Sequence, residues 1–189
     1  MVILCGLDLA GTPKRPTGIA VISIQHNKAK LLEVTTFYTN DEILDYILSL
    51  NPTVVAIDSP LSLPPKGKWF RDVDIEMKKK GYPVLPPRWK SMEMLTLRAI
   101  EIKNKLEKHG VRVIETHPKS ALRSSNCRNV LEALEATGVE HHITKELSRD
   151  EEDAVIASLV ALFYQWRQAI VVKSTDGEIY LLPKLCEEQ

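Results

Sequence analysis

GLDLAGTPKRPTGIAV, residues 6–21, decides how the chain begins. An apolar run ends in one acid, Asp8, then comes a polar Gly/Pro/Thr turn and a second apolar run. Val2 to Leu7 reads as a short buried strand and GIAVISI as a second, the two pairing as a hairpin. LLEVTTFY, β-branched and aromatic after a turn signal at His26 and Asn27, supplies a third strand. Asn40 is the expected cap of a helix over DEILDYILSL, where Ile43, Leu44, Ile47 and Leu48 recur at helical spacing until Asn51-Pro52 stops it. TVVAID follows at once. Its unbroken apolar character predicts a strand buried on both faces, reached by a helical crossover and parallel to its neighbour.

Residues 61–90 change character, holding five of the 11 prolines and two of the three tryptophans. Eight bases against three acids make this segment +5. From Met92 a long helix keeps Leu95, Ala99, Ile102 and Leu106 on one stripe and ends at Gly110. A strand over VRVIETHP, a short helix over NVLEALEATG and a longer one over SRDEEDAVIASLVALFYQWRQ come next. AIVVKS-TDG-EIYLLP closes as a hairpin on an Asp-Gly turn. No repeat or linker interrupts the chain, so one domain over 1–189, with a basic Pro/Trp-rich insertion at about 61–90, is expected.

With 25 basic and 25 acidic residues the chain is neutral, so attraction to nucleic acid or a membrane surface must be local. Cys5, Cys127 and Cys186 are scattered and odd in number, which suits neither a disulfide framework nor a zinc site and favours a reducing cytoplasm. No signal peptide is evident, and no apolar stretch approaches the ~20 residues of a membrane span.

The acids fall at element ends: Asp8 after the first strand, Asp58 after the fourth (AIDSP), Glu115 after the fifth (VIETHP), and Asp153 in the first turn of the last helix. Sites in open parallel sheets form beyond the carboxyl ends of neighbouring strands, so adjacency of the first, fourth and fifth strands would gather three of these acids. Four clustered carboxylates cannot all stay ionised without cations, and hard Mg²⁺ or Mn²⁺ is the usual remedy. Two such ions would activate a water and stabilise a leaving oxygen, so phosphodiester hydrolysis is the chemistry the set supports.

GLDLAG, TGIAV, AIDSPLSLP, RDVD before KKKG, SMEMLT, VIETHP and DAVIASLVA together resemble the domain-of-unknown-function family numbered 429, a group of predicted nucleases. The resemblance runs along nearly the whole chain. It implies a ribonuclease H-like α/β fold, with a five-stranded mixed sheet of order 3-2-1-4-5, only the second strand antiparallel, and a C-terminal β-hairpin. It also implies metal binding by Asp8, Asp58 and Asp153 with Glu115 beside them. Asp150, one helical turn before Asp153, has the spacing of the paired acids of resolvases, though Asp153 matches the family motif better.

Other residues carry two readings each. Arg71 and Asp74 match the family's basic-then-acidic motif, where Arg71 would meet substrate; the alternative is a surface ion pair. His117 is placed to aid a leaving group or water, or simply to stop its strand before Pro118. Ser59 would donate to a phosphate or cap its turn. KGKWFR and PPRWK interleave Lys68 and Arg88 with Trp69 and Trp89, a mixture that neutralises phosphate and stacks unpaired bases; the alternative is a solvated loop with its aromatics packed on the core. His141 and His142 lack a third ligand at suitable spacing. The expected partner is nucleic acid, DNA or RNA, including branched or single-stranded forms. Three other functions compete. DLAGT resembles the dehalogenase-type phosphatase signature but has Ala10 where the second acid belongs, an actin-like ATPase would need two such domains, and a non-catalytic scaffold needs no metal.

Overall fold

The structure, a computed structural model, describes residues 1–187. β1 (Val2–Asp8), β2 (Thr17–Gln25) and β3 (Lys28–Phe37) form an antiparallel meander. Its second turn needs left-handed backbone at both central positions, and His26 (φ 50°) and Asn27 (φ 63°) supply it. Then come α1 (Asn40–Leu50), β4 (Val54–Asp58), α2 (Asp72–Lys79), α3 (Lys90–Lys108), β5 (Arg112–Thr116), α4 (Pro118–Ser125), α5 (Val130–Thr137), α6 (Arg149–Gln165), β6 (Ile170–Ser174) and β7 (Gly177–Leu181).

The expected order 3-2-1-4-5 holds, with β4 parallel to β1 and β5 parallel to β4. The sheet does not stop there. β7 pairs parallel to β5, and the C-terminal hairpin becomes its outer edge, giving seven strands in the order β3-β2-β1-β4-β5-β7-β6. β5 would otherwise be an unprotected edge, and β7 pairs with its last two residues, Glu115 and Thr116.

Alternation along β1 sorts its side chains between two cores. Ile3, Cys5 and Leu7 pack with α1 and α3, while Leu4 packs on the opposite face with α6. TVVAID is buried on both faces as its composition predicts, Val55 and Ile57 joining the first cluster and Val54 and Ala56 the second.

Three local expectations change. Thr39, not Asn40, caps α1, its hydroxyl accepting from Glu42 N while the Glu42 carboxylate accepts from Thr39 N. The Asn40 side chain instead accepts from Arg98 Nε at 2.7 Å. The basic insertion contains a helix, α2, and Pro118 at the first position of α4 opens another where only a strand end was expected. Finally, Cys127 and Cys186 form a disulfide, tying the segment after β7 to the link between α4 and α5, with Cys5 the buried free thiol. The cysteines therefore no longer argue for a reducing compartment. No helix among the described residues is long and apolar enough to cross a membrane.

Candidate functional site

The site begins with two glycines. A Cβ on Gly6 would strike the backbone of Ala154 and Ser158, and one on Gly18 the backbone of Asp150. Their absence lets α6 lie directly on β1 and β2, so its first turns, carrying Asp150 and Asp153, reach the end of β1 where Asp8 sits. Ser148 and Glu151 close a capping box at the start of α6, and Lys145 pairs with Glu151 at 2.6 Å. The chain leaving Asp8 is clamped at Ala10, whose N–H donates to Thr17 Oγ1 (3.1 Å) and whose carbonyl accepts from Arg98 (2.6 Å).

Leu7 pairs with Ile57, so Asp8 and Asp58 follow side by side at the ends of neighbouring strands and on the α6 face. With Asp153 they line a cavity of about 260 Å³. Burial, then the charges of Asp153 and Asp150, push Asp8 up to about 7. A hydrogen bond to Asp150 adds to that rise. Burial, then Asp8 and Asp153, hold Asp58 well above the usual carboxylate range. Burial also lifts Asp153, against the pull of Arg149 and Lys119.

Glu115 departs from the expected set. The strand register pairs Asp58 with Thr116 and Glu115 with Ile57, so Glu115 points to the other face of the sheet. There Arg71 grips it twice, Nη1 to Oε2 at 2.8 Å and Nη2 to Oε1 at 2.6 Å, and Leu61 N donates to it as well. Arg71 also donates to Asp74 through Nε and Nη2 and to Ser62 through Nη1, which uses all five of its side-chain N–H groups. At 1% exposure it is not a surface ion pair. Arg71 and Glu115, with Asp74, line the same cavity as Asp8, Asp58 and Asp153, and there Arg71 stands between two carboxylates. Burial raises Glu115 while Arg71 pulls it back down.

Asp176 reinforces this arrangement. Its carboxylate accepts from the N–H groups of Asp72 (2.6 Å) and Val73 (3.0 Å), capping α2 from the β6–β7 turn. The two-residue turn is Thr175-Asp176, and Gly177 sits close against Val73.

His117 lines the cavity as the residue capping α4, its Nδ1 2.7 Å from Ser120 Oγ. Burial, then Lys119, lowers it to about 4, so the ring is neutral near pH 7. Ser59 also lines the cavity, but its hydroxyl donates to the Pro60 carbonyl at 3.1 Å. Lys119 escaped the sequence reading. It lines the cavity and acts electrostatically on Asp58, Asp153 and His117, and its position in the first turn of α4 was hidden because that helix was not foreseen. Lys68, Arg88 and Trp89 lie outside the cavity lining. Lys68 stands 3.6 Å from Asp72; Arg88 is held by Glu93 and the Pro64 carbonyl; Trp89 is 47% exposed. His142 sits 3.5 Å from Glu140, away from the acids.

Among the described residues no group of three or more His, Cys, Asp or Glu is already arranged to hold a metal ion. The donor set nevertheless suits a hard divalent cation. Asp8, Asp58 and Asp153 are oxygen donors on one cavity, none paired with a base in a salt bridge among the described residues, and burial raises the proton affinity of each.

No family model matches this sequence, and no curated protein matches it. Among solved structures it is similar to T. thermophilus RuvC in complex with Holliday junction substrate, at 14% identity over 89% of this chain and 98% of that one, with a TM-score of 0.57. The Thermus thermophilus RuvC structure gives 14% identity, 88% and 98% coverage and a TM-score of 0.55. At such identity the likeness is one of fold: a mixed, ribonuclease H-like sheet flanked by helices.

Proposed function

We propose that the protein is a metal-dependent hydrolase of nucleic-acid phosphodiesters. The observation that carries this reading is that Asp8, Asp58 and Asp153 line one cavity, where the charge of Asp153 raises the proton affinity of both Asp8 and Asp58. Isolated turn-capping acids would have no cause to converge. In this reading the trio holds Mg²⁺ or Mn²⁺, which when bound would acidify a water and stabilise charge on the leaving oxygen. His117, neutral near pH 7, can orient a water by hydrogen bonding, while its lowered proton affinity makes it a weak proton acceptor. Lys119 supplies the positive charge that a phosphate needs on approach to an acidic site. Glu115 and Arg71 act as the buried brace that fixes the end of β5 beside them.

Nucleic acid is the substrate class favoured by the phosphodiester chemistry and by the exposed Trp69, Trp89 and Lys68 of the basic insertion, and the structurally similar RuvC is seen with a Holliday junction. The test is a cleavage screen of duplex, branched, single-stranded and hybrid substrates with Mg²⁺ and Mn²⁺, beside Asp8→Asn and with melting curves over millimolar metal. Cleavage and a metal-induced rise in Tm, both lost in Asp8→Asn, are expected. No cleavage together with metal-insensitive melting would leave the non-catalytic scaffold.

A further inference from the structure

Besides the buried ion pairs of Arg71 with Asp74 and Glu115, the cavity lining has two chemically different parts. Asp8, Asp58, Asp153, His117 and Lys119 come from strand ends and the starts of α4 and α6. Val84, Leu85, Met92 and Leu95, joined by Leu9, come mainly from the loop before α3 and from α3 itself. That loop is fastened along its length: Arg123 donates to Gly81 O at 2.8 Å, Tyr82 N to Met77 O at 3.0 Å, Trp89 N to Pro86 O at 3.0 Å, and Arg88 to Pro64 O and Glu93. The aliphatic wall is therefore preformed. Leu85 on it is 54% exposed, and nothing among the described residues covers it further.

A phosphodiester inside a continuous duplex reaches a site flanked by further phosphates and sugars, with its bases stacked away. Setting that charged edge against five aliphatic side chains would desolvate phosphates without partners, a costly exchange. An unstacked nucleotide reverses the match, its phosphate meeting Lys119 and the acids while its flat base covers the aliphatic wall. At about 260 Å³ the cavity lies just below the range of about 300–1,000 Å³ typical of pockets for drug-sized ligands, which suits one nucleotide and not a helix. Resting on the hydrolase reading of the same site, we infer that the cavity takes a single unpaired nucleotide, so that the substrate is a strand with an unstacked base beside the cleaved bond, such as a single-stranded end, flap or bulge.

The test uses the full chain with deoxy and ribo oligonucleotides of one sequence, as single strand, flapped duplex and blunt duplex, each also made with an abasic unit beside the cleaved bond. Binding is followed separately in Ca²⁺ through 2-aminopurine at that position. Cleavage of flap and single strand at least about tenfold faster than blunt duplex, a similar loss on removing the base, and a 2-aminopurine change on binding are expected. Leu85→Ser, which removes the exposed aliphatic surface, should weaken capture of 2-aminopurine about tenfold and leave the metal-induced Tm shift in place. Equal cleavage of all forms, indifference to the abasic unit, or a silent 2-aminopurine would overturn the inference while leaving hydrolysis intact. Capture of 2-aminopurine with no cleavage of anything would sustain it and sink the hydrolase reading instead.

Discussion

Replacing Asp8 by Asn, without metal, should make the protein more stable, and increasingly so as pH rises. Asp8 is lifted from an ordinary 3.8 to about 7, so over that interval the folded protein keeps a proton that the unfolded chain has lost. A group shifted upward in this way gives its full stability below the unfolded value and loses it as pH climbs through the folded one. Each pH unit is worth about 1.4 kcal/mol, which puts the whole interval at roughly 4 kcal/mol. The carboxyl is partly open to the cavity, and solvent screening brings the expected effect nearer to about 2 kcal/mol. Asn has nearly the same shape and no proton to lose. In chelator, urea unfolding of the two proteins between pH 5 and 8 should show the advantage of the variant growing up to about pH 7 and then levelling. Millimolar Mg²⁺ should close the gap by stabilising only the wild type. A gap that stays constant across this range would mean that Asp8 ionises normally and that the carboxylates are not in conflict.

The sheet was legible because its signals are local: alternation in VILCGLD, the turn at His26 and Asn27, and the unbroken run VVAID. The pair Asp8 and Asp58 was legible for the same reason, each being the last residue of its strand. Glu115 lines the same cavity but lies one position out of line with Asp58. It is the penultimate residue of RVIET, and in an extended chain that single step reverses the face. Comparing VVAID with RVIET from their ends would have shown Thr116, not Glu115, in line with Asp58. The cap of α1 was also present in the sequence, as Thr39 with Glu42 three residues on. Other features left no local trace. Nothing in TDG tells that Asp176 caps a helix 104 residues earlier, and nothing in the spacing of Cys127 and Cys186, 59 residues apart, tells that they meet. Such contacts depend on β7 joining the sheet beside β5, a tertiary event that periodicity does not encode.

Arg71→Met should strand Asp74 and Glu115 as buried charges and cost about 3–5 kcal/mol in urea unfolding, whereas a fall in substrate affinity at unchanged stability would restore Arg71 as a phosphate ligand. Gly6→Ala should push α6 off β1, costing about 1–3 kcal/mol and abolishing the metal-induced Tm shift; a variant with normal metal response would show that the close approach is not what sets the acids together. Asp150→Asn separates the two acids of α6. Asp150 acts on Asp8 through both its charge and the shared hydrogen bond, so its neutralisation should bring the Asp8 carboxyl titration, followed by carbon NMR, below about 7. Asp153→Asn should lower it too, because its charge is the largest of the carboxylate influences on Asp8. The variants should part company in metal: with Asp153 as a ligand and Asp150 as a proton partner, Asp150→Asn keeps the metal-induced Tm rise and Asp153→Asn loses it. The opposite pattern would move the ligand one turn toward the start of α6, and an unchanged Asp8 titration in both variants would remove the electrostatic coupling on which the site is built.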